Sequence, residues 1–440
     1  MKWISARLKR INKEMLVLAV PNILSNISIP LLSTVDTALM GRLSDVHLGA
    51  VGIASMIFNF LYWNLGFLRM ATTGFTAQFF GREDQRGQIM QLGRGVLLAL
   101  SLALALLLFQ NSIGEASFVL MSVGSDLMEM VRTYFYIRIW DVPATLALLV
   151  IMGWLFGMQN AVAPLVLTLF INVVNISLSY YFVTVLGWEV SGVAYGTVIA
   201  QYLGVLAGLL IIFIKYRSLF LHFQWKLLRG FNNWLSFVRV NSDIFLRTLA
   251  LTLVFSFFYR ISAEMGTMAL AVNVILLQYV NWMSYGIDGF AYATESLVGK
   301  YKGKDSKVDL DTSLKLAFLW AGFLALMCSG LYYYFGSNLL RVFTDVEEVI
   351  AAAQPYLFWI AILPLAGFWS YVWDGVFIGL TASASMRNAM ILAFALFFGM
   401  FYLLGDTESN HWLWICMISF LVYRAIFQFV LFKRHGYDLK

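Results

Sequence analysis

Twelve apolar stretches, each long enough to cross a bilayer, govern what this 440-residue chain can fold into. A transmembrane helix needs about 20 predominantly apolar residues. Such stretches lie near 15–40, 46–68, 92–111, 130–153, 163–185, 190–214, 243–262, 268–298, 314–335, 352–380, 388–404 and 411–432. They are long and do not alternate apolar with polar residues, which excludes a β-barrel. Hydrophobic residues make up 61% of the chain and charged residues 12%, against roughly 45–50% and about 25% in soluble domains. Disorder, a coiled coil and an ordinary cytosolic enzyme are excluded. The basic first 13 residues lead into an apolar run too long for a signal h-region, so no secretory signal is expected. Cys328 and Cys416 sit in apolar runs and read as core residues without a disulfide framework.

Lys and Arg set the orientation. With the amino terminus inside, 22 of the 30 basic residues fall in cytoplasmic segments. Four (Arg42, Arg132, Arg260, Arg341) fall in outer loops, and four (Arg69, Arg138, Arg247, Arg424) within spans. Both termini are therefore expected in the cytoplasm. Next to spans, these basic clusters read as topology signals and not as nucleic-acid patches, so no nucleic-acid partner is expected.

The longest internal polar interruption is 216–242, which mixes Phe220, Leu221, Phe223, Trp225, Leu227 and Leu228 with basic residues. It reads as an amphipathic cytoplasmic linker between a first six-helix lobe, 1–215, and a second, 243–440. A shift of 218 places Arg42, Ser44, Ile57, Thr76 and Gly81 on Arg260, Ser262, Ile275, Thr294 and Gly299. A shift of 221 places Pro143 and Phe156 on Pro364 and Phe377. The order and spacing predict a duplicated unit repeated in parallel, the architecture of a carrier.

Five acids lie within the predicted spans: Asp36, Asp141, Asp288, Glu295 and Asp374. An ionised Asp at the bilayer centre costs roughly 2.5–3.5 kcal/mol, so such residues face a cavity or a partner, with function the default reading. Asp36 follows Pro21 and Pro30 on one helix, and each proline removes a backbone donor and favours a kink. A shielded carboxyl there can exchange a proton near physiological pH. Asp288 and Glu295, seven apart, share a helix face. Arg247 is a candidate partner for Asp288, the alternative being a static ion pair that docks two helices. Asp374 precedes Gly375, which permits close approach. Arg138 and Asp141 are three apart and read as a structural pair along their own helix. Asn172, Asn175 and Ser179 share one face of span five, with Thr197 on the next span. They read either as ligands to the Asp36 carboxyl or as interhelical glue.

No Walker sequence, no His/Cys cluster with metal spacing and no Gly-x-Ser-x-Gly is present, so neither ATP-driven nor enzymatic chemistry is expected within the chain, and no cofactor.

At this point the whole chain resembles the multidrug and toxic compound extrusion (MATE) family, most closely its DinF-like branch. The matching stretches are 35–43 (Val-Asp-Thr-Ala-Leu-Met-Gly-Arg-Leu), 134–144, 243–248, 285–299, 374–379 and 386–390. The resemblance implies an all-α polytopic membrane protein with twelve transmembrane helices in two six-helix lobes around a V-shaped central cavity. It implies cation-coupled antiport of small organic, cationic or amphipathic compounds through the inner membrane. The partners are then those substrates and membrane lipid, and the protein is expected to be a monomer. Asp36 matches the family's span-one acid, which takes a proton or helps bind Na+, and Pro21 a proline where that helix bends. Tyr134, Asn175 and Thr197 match positions around that acid. Ser179 departs from the Asp that many relatives carry, which removes a two-carboxylate site and weighs against Na+ there. Arg247, Asp288, Glu295 and Asp374 resemble the DinF-like pattern of the second lobe.

Two other readings compete. A flippase for lipid-linked intermediates shares the lobed design but requires a cationic cavity, and here five intramembrane acids outnumber four Arg. A lipid-directed membrane enzyme requires a Ser/His or His/Asp cluster at one interface, and the sequence has none.

Overall fold

The computed structural model describes the backbone of residues 2–41, 43–228 and 231–436, and the side chains at 6–28, 37–41, 43–226, 228 and 234–436. Every regular element among the described residues is helical. Eleven described helices are long and apolar enough to cross a membrane. The first apolar stretch lies on a further helix, α1 (Lys2–Gly41), which includes side chains outside the described ones.

The chain forms two compact units. One comprises 24–237, the other 1–23 together with 238–440. The first contains α2 (Asp45–Leu65), α3 (Phe67–Gly81), α4 (Gln85–Leu108), α5 (Gln110–Leu120), α6 (Ser125–Arg138), α7 (Val142–Gly157), α8 (Val162–Tyr180) and α9 (Glu189–Tyr216). In the 216–242 segment a 3-10 turn (Arg217–His222) and the short helix α10 (Trp225–Leu228) precede α11 (Phe231–Glu264), so the helix bearing Arg247 begins inside that segment. The second unit continues with α12 (Thr267–Gly303), α13 (Lys307–Phe343), α14 (Glu347–Ala353), α15 (Leu357–Gly379), α16 (Ser383–Leu403) and α17 (Asn410–His435).

The two units repeat one plan, in a register that corrects the expected shifts of 218 and 221. The helical run Asp45–Gly81 and its counterpart Thr267–Gly303 each have 37 residues, and Ser125–Gly157 and Glu347–Gly379 each have 33. Their starts give 267 − 45 = 222 and 347 − 125 = 222. Glu83 and Asp305 carry the left-handed turn after one pair of helices, with φ 57° and 54°. Gln159 and Thr381 carry it after another, with φ 59° and 55°. Both pairs hold the same spacing. Few side-chain identities survive between the copies, whereas helix ends and turns retain the register. An error of one residue rotates a helical position by about 100°.

Helix packing repeats too. Without a hydrophobic drive inside lipid, helices associate where small residues let backbones touch. Gly153 and Gly157 on α7 press on the backbone of Arg69 and Thr73 on α3; Gly375 and Gly379 on α15 press on that of Ala291 and Glu295 on α12. Both glycines and both partners are again 222 apart.

In the second unit the amino-terminal part of α1 is fastened by polar contacts. Arg7 and Arg10 reach the Asp309 carboxylate at 3.1 and 3.0 Å. Lys300 and Tyr301 donate to Glu14 at 2.8 and 2.6 Å, and Trp320 donates to Asn12 at 2.7 Å.

Candidate functional site

In the unit 24–237, α8 and α9 bring three expected residues together. Asn175 Nδ2 donates to Thr197 Oγ1 at 2.9 Å, and Thr197 in turn donates to the Val193 carbonyl at 3.0 Å. Ser179, one turn beyond Asn175, is fully buried, and its hydroxyl has no hydrogen bond among the described residues; neither has Asn175 Oδ1. Gly196 permits this closeness, because a Cβ there would stand 2.7 Å from Ser179 Oγ. A π-helical turn, Tyr181–Val185, follows directly. Asn172 donates to the Ser28 carbonyl of α1 at 3.1 Å and so docks α8 on that helix. This cluster offers neutral oxygens and amides. Asp36 and Pro30 lie outside the described side chains. Pro21 lies within the unbroken helix α1.

Tyr134, also expected near that acid, enters a second polar group. Its hydroxyl accepts from Arg138 at 2.6 Å and lies 3.3 Å from Ser55 Oγ. Arg138 Nε stands 3.5 Å from Asp141, whose other oxygen accepts the Tyr62 hydroxyl. Arg138 and Asp141 therefore approach one another along their own helical run, as their spacing predicted.

The second unit holds the denser charge network. Arg247 pairs with Asp374, a partner that the sequence reading did not name. Asp374 is the more deeply enclosed acceptor, 7% exposed against a half-buried Asp288. The same Asp374 oxygen accepts from Arg424 at 2.7 Å, and the other accepts from Gln428 Nε2 at 2.7 Å. Asp288 and Glu295 stand within electrostatic reach of Arg247, with Tyr371. Three acids thus face two guanidinium groups. Gln428 and the role of Arg424 were not foreseen. Their signal was a spacing of four on α17, which puts both on one helix face. Nearby in sequence to the network, Asp243 accepts from Ser383 at 2.8 Å and pairs with Arg387, joining two stretches that carried the family resemblance.

Known proteins match this fold and sequence. The MatE family model matches residues 21–181 and 243–403, two copies with the same 222-residue offset. DNA damage-inducible protein F of Escherichia coli (strain K12) is 36% identical over 431 residues, covering 96% of this chain and 92% of that protein. A probable multidrug resistance protein, NorM of Photorhabdus laumondii, is 22% identical over 449 residues, covering 96% and 95%. Among solved structures, an outward-facing multidrug resistance MATE family transporter of the MOP superfamily superposes with a TM-score of 0.88 at 18% identity, covering 96% of this chain and 95% of that one. A Vibrio cholerae MATE transporter gives 0.86 at 16% identity, covering 98% and 99%. The family model over most of both repeats and the 36% relative over nearly the whole chain lead to one conclusion: this chain belongs to the MATE family, in its DinF-like branch, and is a membrane transporter and not an enzyme.

Proposed function

We propose that the protein is a secondary-active antiporter of the bacterial inner membrane, with both termini cytoplasmic. It exports small organic cations and amphipathic compounds in exchange for inward H+ or Na+, by alternating access. The observation that carries this reading is the intramembrane network of Asp374, Arg247, Arg424 and Gln428 with Asp288 and Glu295, in which acids outnumber cations. Ionisable groups inside spans mark ion and substrate pathways, and an excess of acid suits a cationic cargo or a coupling cation. The names of relatives point the same way: a probable multidrug resistance protein and a multidrug and toxin extrusion protein are among them.

Each coupling group has a physical task. Asp36 is the carboxyl whose protonation is exchanged for cargo, and the repeat register pairs it with Phe258, a fully buried ring in the other unit. Asn175, Thr197 and Ser179 supply the neutral oxygens and amides of that lobe. In the second unit, protonating Asp288 or Glu295 relaxes their pull on Arg247 and changes the charge that a bound cation meets. At about −100 mV one inward charge yields roughly 2.3 kcal/mol, enough to sustain a useful concentration ratio.

The test is efflux of an organic-cation dye from everted vesicles under imposed pH or Na+ gradients, for the wild type and for Asp36→Asn, Asp288→Asn and Asp374→Asn. Gradient-driven movement that the Asp36 or Asp288 change abolishes is the expected result. Transport indifferent to both gradients overturns the reading.

A further inference from the structure

Asp141 lies midway along the 33-residue helical run Ser125–Gly157 and is wholly enclosed. One of its oxygens accepts the Tyr62 hydroxyl; the other has no hydrogen bond among the described residues. Arg138 faces that second oxygen with Nε at 3.5 Å, an ion pair longer than those on Asp374, while another nitrogen of the guanidinium serves other partners. It donates to the Tyr134 hydroxyl at 2.6 Å and to Ser55 Oγ at 3.4 Å, and it lies over the rings of Phe58 and Tyr134 at 4.9 and 5.5 Å.

The groups around Asp141 come from every packed neighbour. They are Tyr62 from α2, Arg138 and Tyr134 from α6, Thr145 from α7, and Tyr202 from α9, whose hydroxyl donates to the adjacent Trp140 carbonyl at 3.0 Å. Arg138 is the one cation among them. Asp374 in the other unit shows what a fixed buried carboxylate looks like, with two guanidinium groups and an amide on its oxygens. Asp141 has one hydroxyl at hydrogen-bond distance, Thr145 beside it and one offset cation, fewer charge-balancing partners than Asp374 has, and burying a carboxylate costs more the fewer such partners it has.

The duplication argues that this cluster is not required for folding. The residues 222 beyond Ser55, Tyr62, Arg138 and Asp141 are Leu277, Ser284, Ile360 and Leu363, and the same helical frame forms around them without charge.

We propose that Asp141 is a second proton-binding group of the transport cycle, with Arg138 as its exchangeable counter-ion. This rests on the antiporter reading above and adds a site to it. With Asp141 ionised, the pair is neutral and tolerates a cationic cargo. A proton arriving on the free carboxylate oxygen leaves Arg138 charged and uncompensated, held by the faces of Phe58 and Tyr134. The unit gains one positive charge and repels the organic cation. Proton and cargo thereby exclude one another.

The experiment is equilibrium binding of ethidium, a fluorescent organic cation, to the purified full-length protein between about pH 5 and 8. Each proton that competes with the cation weakens binding tenfold per pH unit below its midpoint. The wild type, with protons on Asp36 and Asp141, is expected to approach a hundredfold change per unit, and Asp141→Asn only tenfold. Tyr62→Phe, a milder change that removes one donor from the carboxylate, is expected to move the midpoint of the Asp141 step to higher pH. It decides the question where Asp141→Asn fails to fold. A slope in Asp141→Asn equal to that of the wild type, or a Tyr62→Phe midpoint that stays in place, overturns the proposal and leaves the antiporter reading standing. Wild-type binding indifferent to pH overturns proton coupling itself.

Discussion

Gly379 meets the backbone of Glu295, and a Cβ at that glycine would stand 2.7 Å from the Glu295 carbonyl oxygen. The contact sets the distance between α15 and α12 at the turn where one of the buried acids sits. Because the clash is with backbone, neither partner can swing aside.

Gly379→Val is therefore expected to force the two helices apart and to lower stability by about 1–3 kcal/mol. Gly399→Ala, which meets open space, is expected to leave stability within about 0.5 kcal/mol. Thermal melts of the purified variants in one detergent check the contrast. Equal melting temperatures would show that the glycine contact does not set the spacing.

The Asp374 network gives a graded series. Asp374→Ala leaves Arg247 and Arg424 buried beside each other without their shared acceptor, and breaking a buried pair costs about 3–5 kcal/mol. Gln428→Leu removes one neutral donor and costs about 1 kcal/mol. The expected order of melting temperatures is wild type, then Gln428→Leu, then Asp374→Ala. A Gln428 change as damaging as the Asp374 change would show that the amide, not the charge pair, holds the helices.

In the other unit, Thr197→Val keeps shape and removes the acceptor of the Asn175 amide. Interhelical bonds of this kind are worth about 0.6–2 kcal/mol in membranes. A small loss of stability is expected, together with a several-fold slower gradient-driven dye efflux, since the cluster of neutral oxygens loses one member. Efflux at the wild-type rate would assign Asn175 and Thr197 to packing alone.

The fastening of α1 at its start gives a prediction outside the bilayer. Arg7 and Arg10, each about half exposed, share one carboxylate on Asp309. Exposed pairs contribute roughly 0–1 kcal/mol each and weaken in salt. Asp309→Asn is expected to accelerate tryptic cleavage after Arg7 and Arg10 several-fold, and high salt is expected to do the same to the wild type. Cleavage rates that neither change alters would place the strength of this attachment in Glu14 and Asn12 instead.

Much of the fold was legible in the sequence, because span length and hydropathy are properties of the chain itself. The approach of Arg138 to Asp141 was legible for a related reason, since three residues along one helix fix which side chains can meet. The pairing of Arg247 with Asp374 was not. Asp374 is 127 residues away, and only the packing of α11, α15 and α17 brings it to that guanidinium. The repeat was visible but shifted. Its true spacing is written in helix ends such as Gly81 and Gly303 and in turns such as Glu83 and Asp305, where backbone geometry outlasts side-chain identity.

The two copies keep matched helix lengths of 37 and 33 residues while their polar side chains have gone separate ways. Asn175 and Ser179 in one copy stand where Phe397 and Phe401 stand in the other. Carpentry and chemistry have thus become separable in this molecule: selection can rewrite what one half binds without altering how either half is built.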